Sequence, residues 1–246
     1  MRGVFLLLIA IGTLWAQEEK LLFYCGATMV PPMQKIASEF SRKYHIKIQI
    51  LQGGSGDLLR RLTTEKRGDL YLPGCTLYLQ KARSGLFVYE REVGSNRLAI
   101  LVKKGNPLKI TGVEDLLRED VRTAVGAADL GSIGRVTRKV LRRYGGEEFY
   151  RQVQSRALYF VTDSRELIQM LLHGKVDAGI SWRASAYFPK YREYLEAIDL
   201  PDRLAPPQRL KIAVSAFSRQ PKTARAFVDF AASDWGRAVM KRYGFE

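Results

Sequence analysis

Strand-like and helix-like segments alternate through most of this 246-residue chain, a Gly-Gly-Ser-Gly run sits where one strand passes into a helix, and a proline-bounded stretch, 201–207, interrupts the alternation late. These observations predict an α/β protein with two Rossmann-like lobes joined by two hinge crossings. Segments 20–24, 46–51 and 69–72 read as strands and 31–44, 57–66 and 77–84 as helices. That βαβαβα order implies a parallel sheet with right-handed crossovers and with loops gathered at the strands' carboxyl ends. A second unit begins with the alternating apolar stretch 96–102, closed by the breaker Lys104-Gly105-Asn106-Pro107. It continues as helix 113–118, strand 122–126, helix 133–144, strand 157–161, helix 164–172 and strand 176–181. Beyond 201–207 the pattern returns as strand 210–214 and helices 223–232 and 236–243. A chain that leaves one lobe, builds another and comes back crosses twice, near Asn96 and near Gln208. Lobe I is therefore expected to span 17–98 and 210–246 and lobe II 99–209, with the cleft between them as the default binding site. The alternative is one doubly wound domain carrying an insertion.

Residues 1–16 combine Arg2, an apolar stretch from Val4 to Leu14 and the small Ala16 ahead of polar Gln17-Glu18-Glu19-Lys20, which predicts a secretory signal peptide and an exported protein. An uncleaved anchor is the rival, and the stretch is short for it, since a span needs about 20 apolar residues. The remaining length of about 230 residues is ample for well-buried cores. Two cysteines, Cys25 and Cys75, are either joined in a disulfide, as export permits, or are two buried thiols.

The formal charge of +15 favours anionic partners in general. Its carriers, such as Arg60, Arg61, Lys66 and Arg67 or Arg135, Arg138, Lys139, Arg142 and Arg143, are strung along helices without a nucleic-acid motif. Solvated helix faces are expected, and no nucleic-acid partner. There is no CxxC or Cys/His cluster, and His45 and His173 lack ligand spacing, so neither a resident metal nor a cofactor is expected. Neither histidine accompanies a serine or cysteine in a nucleophile-and-base arrangement, so the chain is not expected to be an enzyme; a secreted hydrolase or transferase is the alternative from that class.

Four segments share one design, in which a strand ends, a small or hydroxyl residue follows and a helix starts. The first is Ala27-Thr28 before Pro31-Pro32, where Thr28 either caps the helix or offers its hydroxyl to a ligand. The second is Gly53-Gly54-Ser55-Gly56, where missing side chains let a ligand approach backbone N–H groups at the positive end of a helix. It lacks the Gly-Lys-Ser/Thr ending of a nucleotide-binding loop. The third is Asp129-Leu130-Gly131-Ser132-Ile133-Gly134, and the fourth is Thr162-Asp163-Ser164; the alternative for each is a plain N-cap. Two such turns per lobe would aim four helix starts into one cleft. Trp182, at the end of the strand Asp177 to Ser181, either packs in the core or meets a ligand.

Read together, Ala27-Thr28 with Met33-Gln34, Gly53-Gly54-Ser55-Gly56-Asp57-Leu58, Gly68-Asp69-Leu70-Tyr71-Leu72-Pro73-Gly74, Asn96-Arg97-Leu98, Ser132-Ile133-Gly134-Arg135, Gly174-Lys175-Val176-Asp177-Ala178-Gly179-Ile180 and the ending Lys241-Arg242-Tyr243-Gly244-Phe245 resemble the periplasmic molybdate-binding proteins of ABC transporters, which have the type II periplasmic binding protein fold. The resemblance covers nearly the whole chain after the leader. It implies a monomeric receptor that captures molybdate or tungstate and delivers it to an inner-membrane ABC permease subunit, the only metal being that of the bound oxyanion. By position it places ligand contacts at Thr28 with Ala27 beside it, at Ser55, near Ile133 with Ser132 adjacent, and at Ser164; Gly54 joins them from the glycine-turn reading above. Trp182 stands where the family has a tyrosine, and an indole only donates where a phenol also accepts. A cleft of N–H and O–H donors suits a fully deprotonated dianion, whereas a phosphate that retains a proton would need an acceptor. Asp57 and Asp163 are the candidates for one and are expected to face helix starts or solvent instead. A sulfate or phosphate receptor on the same fold is the alternative.

Overall fold

The computed structural model describes residues 20–127 and 132–246; the expected leader at 1–16 and the turn residues Asp129, Leu130 and Gly131 lie outside them. Strands and helices are numbered here along the chain. The first sheet is ordered β2-β1-β3-β10-β4 and consists of β1 (Lys20–Gly26), β2 (Lys47–Gly53), β3 (Leu70–Leu72), β4 (Phe87–Asn96) and β10 (Gln208–Ser215). The second is ordered β7-β6-β8-β5-β9 and consists of β5 (Leu98–Lys103), β6 (Thr123–Gly126), β7 (Tyr159–Val161), β8 (Ala178–Trp182) and β9 (Leu195–Asp199). In each, three parallel strands adjoin an antiparallel strand that has just entered from the other sheet: β10 beside β3 in the first, β5 beside β8 in the second. The architecture is thus two α/β lobes with the same strand order.

Sequence pattern explains why the first sheet is covered on both faces. β1 is a continuous apolar run, Leu21-Leu22-Phe23-Tyr24-Cys25, as a doubly buried parallel strand requires. Leu21, Phe23 and Cys25 join α1 (Val30–Tyr44), α6 (Pro221–Ala231) and α7 (Asp234–Arg242) in one core, where Phe40 meets Phe227 edge to face with centroids 5.1 Å apart. Leu22 and Tyr24 point the other way, toward Leu58 and Leu62 of α2 (Ser55–Glu65) and Tyr78 of α3 (Leu77–Gln80). The second sheet is likewise covered, by α4 (Ser132–Arg156) with Val140, Leu141 and Val153, and by α5 (Ser164–Leu172) with Leu167, Ile168 and Leu171. Gly146, at φ 73°, breaks α4, because only glycine takes that conformation without strain.

The two crossings lie side by side. β4 and β5 are separated by Arg97 alone, and 200–207 carry the chain back from β9 to β10, whose first residue pairs with Asn96. Arg97 forms ion pairs with Asp202 on the return crossing and with Glu246, the last residue. The backbones of Ser95 and Glu246 exchange two hydrogen bonds of 2.6 and 2.9 Å. One guanidinium therefore ties both crossings to the carboxyl terminus.

Several expectations need correction. Strands β4 and β9 were not anticipated, strand 96–102 begins at Leu98 because Asn96 completes β4, and helix 77–84 closes after Gln80. Helix 133–144 runs on to Arg156 across the glycine break. Cys25 and Cys75 are free thiols, held on opposite faces of the first sheet in separate cores, so the buried-thiol alternative describes them. Burial pushes both thiols above their ordinary range, which keeps them protonated. Unfolding the protein in iodoacetamide without reductant is expected to add two alkyl groups by mass, and labelling that appears only after reduction would contradict this arrangement.

Candidate functional site

Register decides which helix starts become neighbours. β1 and β2 run parallel and end together, with Gly26 paired to Gly53, so the segments that follow, Ala27-Thr28 and Gly54-Ser55, leave the same edge of the sheet side by side. β3 ends one strand over, with Leu72 paired to Cys25, and delivers Gly74 to the same edge.

The start of α2 is fixed by two contacts that leave its donors available. Gly54, in extended conformation, precedes the helix without any side-chain cap hydrogen bond, so the first-turn N–H groups of α2 have no side chain of their own to satisfy them. Ser55 is 5% exposed. Its Oγ accepts the Gly74 N–H at 2.9 Å and its carbonyl accepts the Tyr71 hydroxyl at 2.8 Å. A hydroxyl that already accepts still has its proton to donate. Tyr71 is itself fully buried and stacked on Phe87 at 5.3 Å, and burial raises its phenol above the ordinary range, so it remains a donor.

Ala27 and Thr28 form, with Met29, a 3-10 turn that runs into α1. Met29 precedes α1 and no side-chain cap hydrogen bond is made at either start, so Thr28 is not a cap. Its half-buried hydroxyl stands at the sheet edge beside the α2 start.

The second lobe repeats the construction. β6 and β7 end with Gly126 paired to Val161, and α4 begins hard against this edge: a Cβ at Gly126 would lie 2.8 Å from the Gly134 backbone. Only glycine permits that seat, which places Ile133, 2% exposed, at the end of β6. Ser132 opens α4; its side chain is outside the described set. At α5, Ser164 is buried and its Oγ meets the Oγ of fully buried Ser181 at 2.9 Å. Two hydroxyls that share one contact use one proton, which leaves the other to donate.

At the α5 start the capping alternative holds. Asp163 caps it, accepting the N–H groups of Arg165 at 2.8 Å and Glu166 at 3.1 Å, so these donors are taken by the protein's own carboxylate. Burial raises the Asp163 carboxyl, but hydrogen bonds from Arg165 and the two amides outweigh it and hold it below the ordinary range. Asp57 faces solvent, 3.1 Å from Arg60. As expected, neither carboxylate is presented as a bare acceptor. Trp182 is 4% exposed and packs with Leu98, Ile100 and Ile180 in the second-lobe core.

The two edges are connected across the lobes by α3 and α4. The Tyr78 ring lies beside the α2 start, where a Cβ at Gly56 would be 3.5 Å from it, and its hydroxyl accepts a hydrogen bond from Arg135 in the first turn of α4. Sequence reasoning missed Tyr71, Tyr78 and Ser181 as site builders. Ser181 was legible only as the residue before Trp182, and Tyr71 only as an aromatic between Gly68 and Gly74. Among the described residues no cluster of His, Cys, Asp and Glu gathers that would hold a metal ion, and no helix is long and apolar enough to cross a membrane.

Residues 21–246 match the family model described as bacterial extracellular solute-binding protein. A putative binding protein of Haemophilus influenzae is 27% identical over 96% of this chain and 94% of its own length. The molybdate-binding protein ModA of Mycobacterium bovis is 23% identical over 92% and 84%, respectively. Among solved structures, the periplasmic molybdate-binding protein of Azotobacter vinelandii superposes with TM-score 0.75 at 16% identity, covering 93% of this chain and 99% of that one. The sulfate-binding protein SubI of Mycobacterium tuberculosis superposes equally well, with TM-score 0.75 at 16% identity over 92% and 86%. These structures share the two-lobed type II periplasmic binding fold.

The Asp163 cap has a defined pH signature. Because its folded pKa is depressed, its stabilisation is present above the ordinary carboxylate value of about 4 and is lost as pH falls through the lower folded value. Asp163→Ala is expected to cost about 1 kcal/mol in urea denaturation at neutral pH, with the gap to the parent narrowing as the pH is lowered below about 4. A gap that does not depend on pH would contradict the assignment.

Proposed function

This chain belongs to the bacterial extracellular solute-binding protein family, whose members bind and do not catalyse, and on that premise we propose that it is a periplasmic receptor for a small tetrahedral oxyanion, molybdate or tungstate, which it passes to an inner-membrane ABC permease. The observation that carries this reading is the open start of α2. First-turn N–H groups without a side-chain cap, beside a Ser55 hydroxyl that has already accepted from Gly74, form a cluster of uncharged donors at the positive end of a helix dipole.

Donor chemistry narrows the anion. Donors alone replace the water shell of a dianion that carries no proton; monohydrogen phosphate brings a proton that needs an acceptor. Asp163 is spent on its own helix and Asp57 points to solvent beside Arg60, which supports molybdate or tungstate over phosphate. The molybdate name of the Mycobacterium bovis relative agrees with this choice. Sulfate shares the required chemistry, and the sulfate-binding neighbour keeps it as the competing ligand.

With donors divided between lobes, the loaded form is the one held shut, and a permease can distinguish it from the empty form. Titration calorimetry with molybdate, tungstate, sulfate and phosphate is expected to give saturable heat with the first two and none with phosphate. Absence of heat with both molybdate and tungstate would overturn the reading, and heat with sulfate alone would transfer it to that anion. Ser55→Ala is expected to lose about 1.5–3 kcal/mol, roughly ten- to a hundred-fold in Kd, as for a hydrogen bond to a charged partner.

A further inference from the structure

Arg135 and Tyr78 meet across the two lobes through a hydrogen bond from the guanidinium to the phenol oxygen, with the guanidinium 5.4 Å from the ring centroid. The contact differs in kind from those at the crossings. Arg97 and Arg183 hold the lobes where the chain itself joins them, binding Asp202, Glu246 and the Gly244 carbonyl. Tyr78 and Arg135 are carried instead by α3 and α4, at the carboxyl ends of the strands, where no covalent link holds the lobes together.

Both partners are rooted in the candidate site. Tyr78 packs against the first turn of α2 at Gly56 and its ring sits with Leu58, Leu62 and Tyr71 in the first-lobe core. Arg135 lies two residues beyond Ile133, in the turn of α4 seated on Gly126, and is solvent exposed. A fixed, buried acceptor on one lobe thus faces a long, exposed cation on the other. Burial pushes the Tyr78 phenol up, against the pull of the Arg135 charge, so the hydroxyl stays neutral near pH 7. It then accepts from Arg135 and retains its own proton.

We propose that Tyr78 and Arg135 form a latch between the lobes, beside the starts of α2 and α4, which stabilises the closed form and sets how slowly a captured anion escapes. The Tyr78 ring belongs to the first-lobe core, but its hydroxyl bond to Arg135 joins no strand and adds nothing to that core, so the bond's contribution falls on the balance between open and closed lobes. A guanidinium bonded to a phenol and resting near its ring is the sort of contact that a modest hinge motion makes or breaks as a unit. Latching rests on the anion-capture reading for its effect on release, but not for its effect on lobe closure.

The test uses the mature chain, Tyr78→Phe, which keeps the ring and removes the acceptor, Arg135→Gln, and the double variant. Small-angle scattering reads lobe opening, and stopped-flow displacement reads molybdate release. With the latch, both single variants are more open than the parent without anion, and each releases molybdate about ten-fold faster, while the double variant adds little, as for two ends of one interaction. Association rates stay within about three-fold. Unchanged opening in both single variants overturns the latch. A loss of affinity in Arg135→Gln far beyond that in Tyr78→Phe also overturns it, since Arg135 would then be an anion ligand. If the parent binds none of the oxyanions, the receptor reading fails, and the scattering comparison alone still decides the latch: a more open Tyr78→Phe supports it and an unchanged one rejects it.

Discussion

Everything in this structure that resembles a receptor depends on N–H groups at the start of α2 that the protein leaves unsatisfied by any cap of its own. Most helix starts are closed by a nearby serine, threonine or aspartate, because an unpaired buried N–H is costly. Here the obvious candidate, Ser55, lies inside the helix instead of before it, and its oxygen is occupied by the Gly74 N–H while Tyr71 holds its carbonyl. The same chain shows what closure looks like, since α5 is capped by Asp163 and α7 by Ser233. α1, α3 and α6 also start without a side-chain cap, and what sets α2 apart from them is the pair Gly54 and Gly56 around the buried Ser55 hydroxyl, where the proposed reading seats the anion.

Two lobes with the same strand order make that mark useful. Each is wound so that parallel strands end on one edge, and the crossings bring the edges together while Arg97 fastens the hinge to the last residue. The Gly26 to Gly53 pair sets the first edge and the Gly126 to Val161 pair the second. The sheets thus carry short turns at facing edges, and on the proposed reading rotation about the crossings between them would serve capture and release.

Much of this was legible in the sequence, and the limits have physical reasons. Buried parallel strands such as Leu21-Leu22-Phe23-Tyr24-Cys25 announce themselves by continuous apolarity, and Gly53-Gly54-Ser55-Gly56 by composition. β4 and β9 were missed because they are sheet-edge strands in which Glu90, Arg91, Glu92, Glu196 and Asp199 dilute the apolar pattern. The full length of α4 was hidden by Gly145-Gly146, which normally end a helix. At the site, sequence placed Ser55, Ile133 and Ser164 at helix starts and offered Asp163 as a candidate cap, but choosing between cap and open start needed the geometry that closes α5 and leaves α2 without a side-chain cap. Nor could it find Tyr78 and Arg135, 57 positions apart, because their meeting is created by the approach of two lobes.

The central claim, that the open α2 start with Thr28 in one lobe and the Ile133 and Ser164 donors in the other converge on one dianion, is tested most directly by following backbone amide resonances during a molybdate titration. The account predicts that the largest shifts fall together, with one saturation curve, on Thr28, Ser55, Gly56, Ile133, Gly134 and Ser164. Shifts confined to exposed lysines and arginines, or to one lobe only, would contradict it.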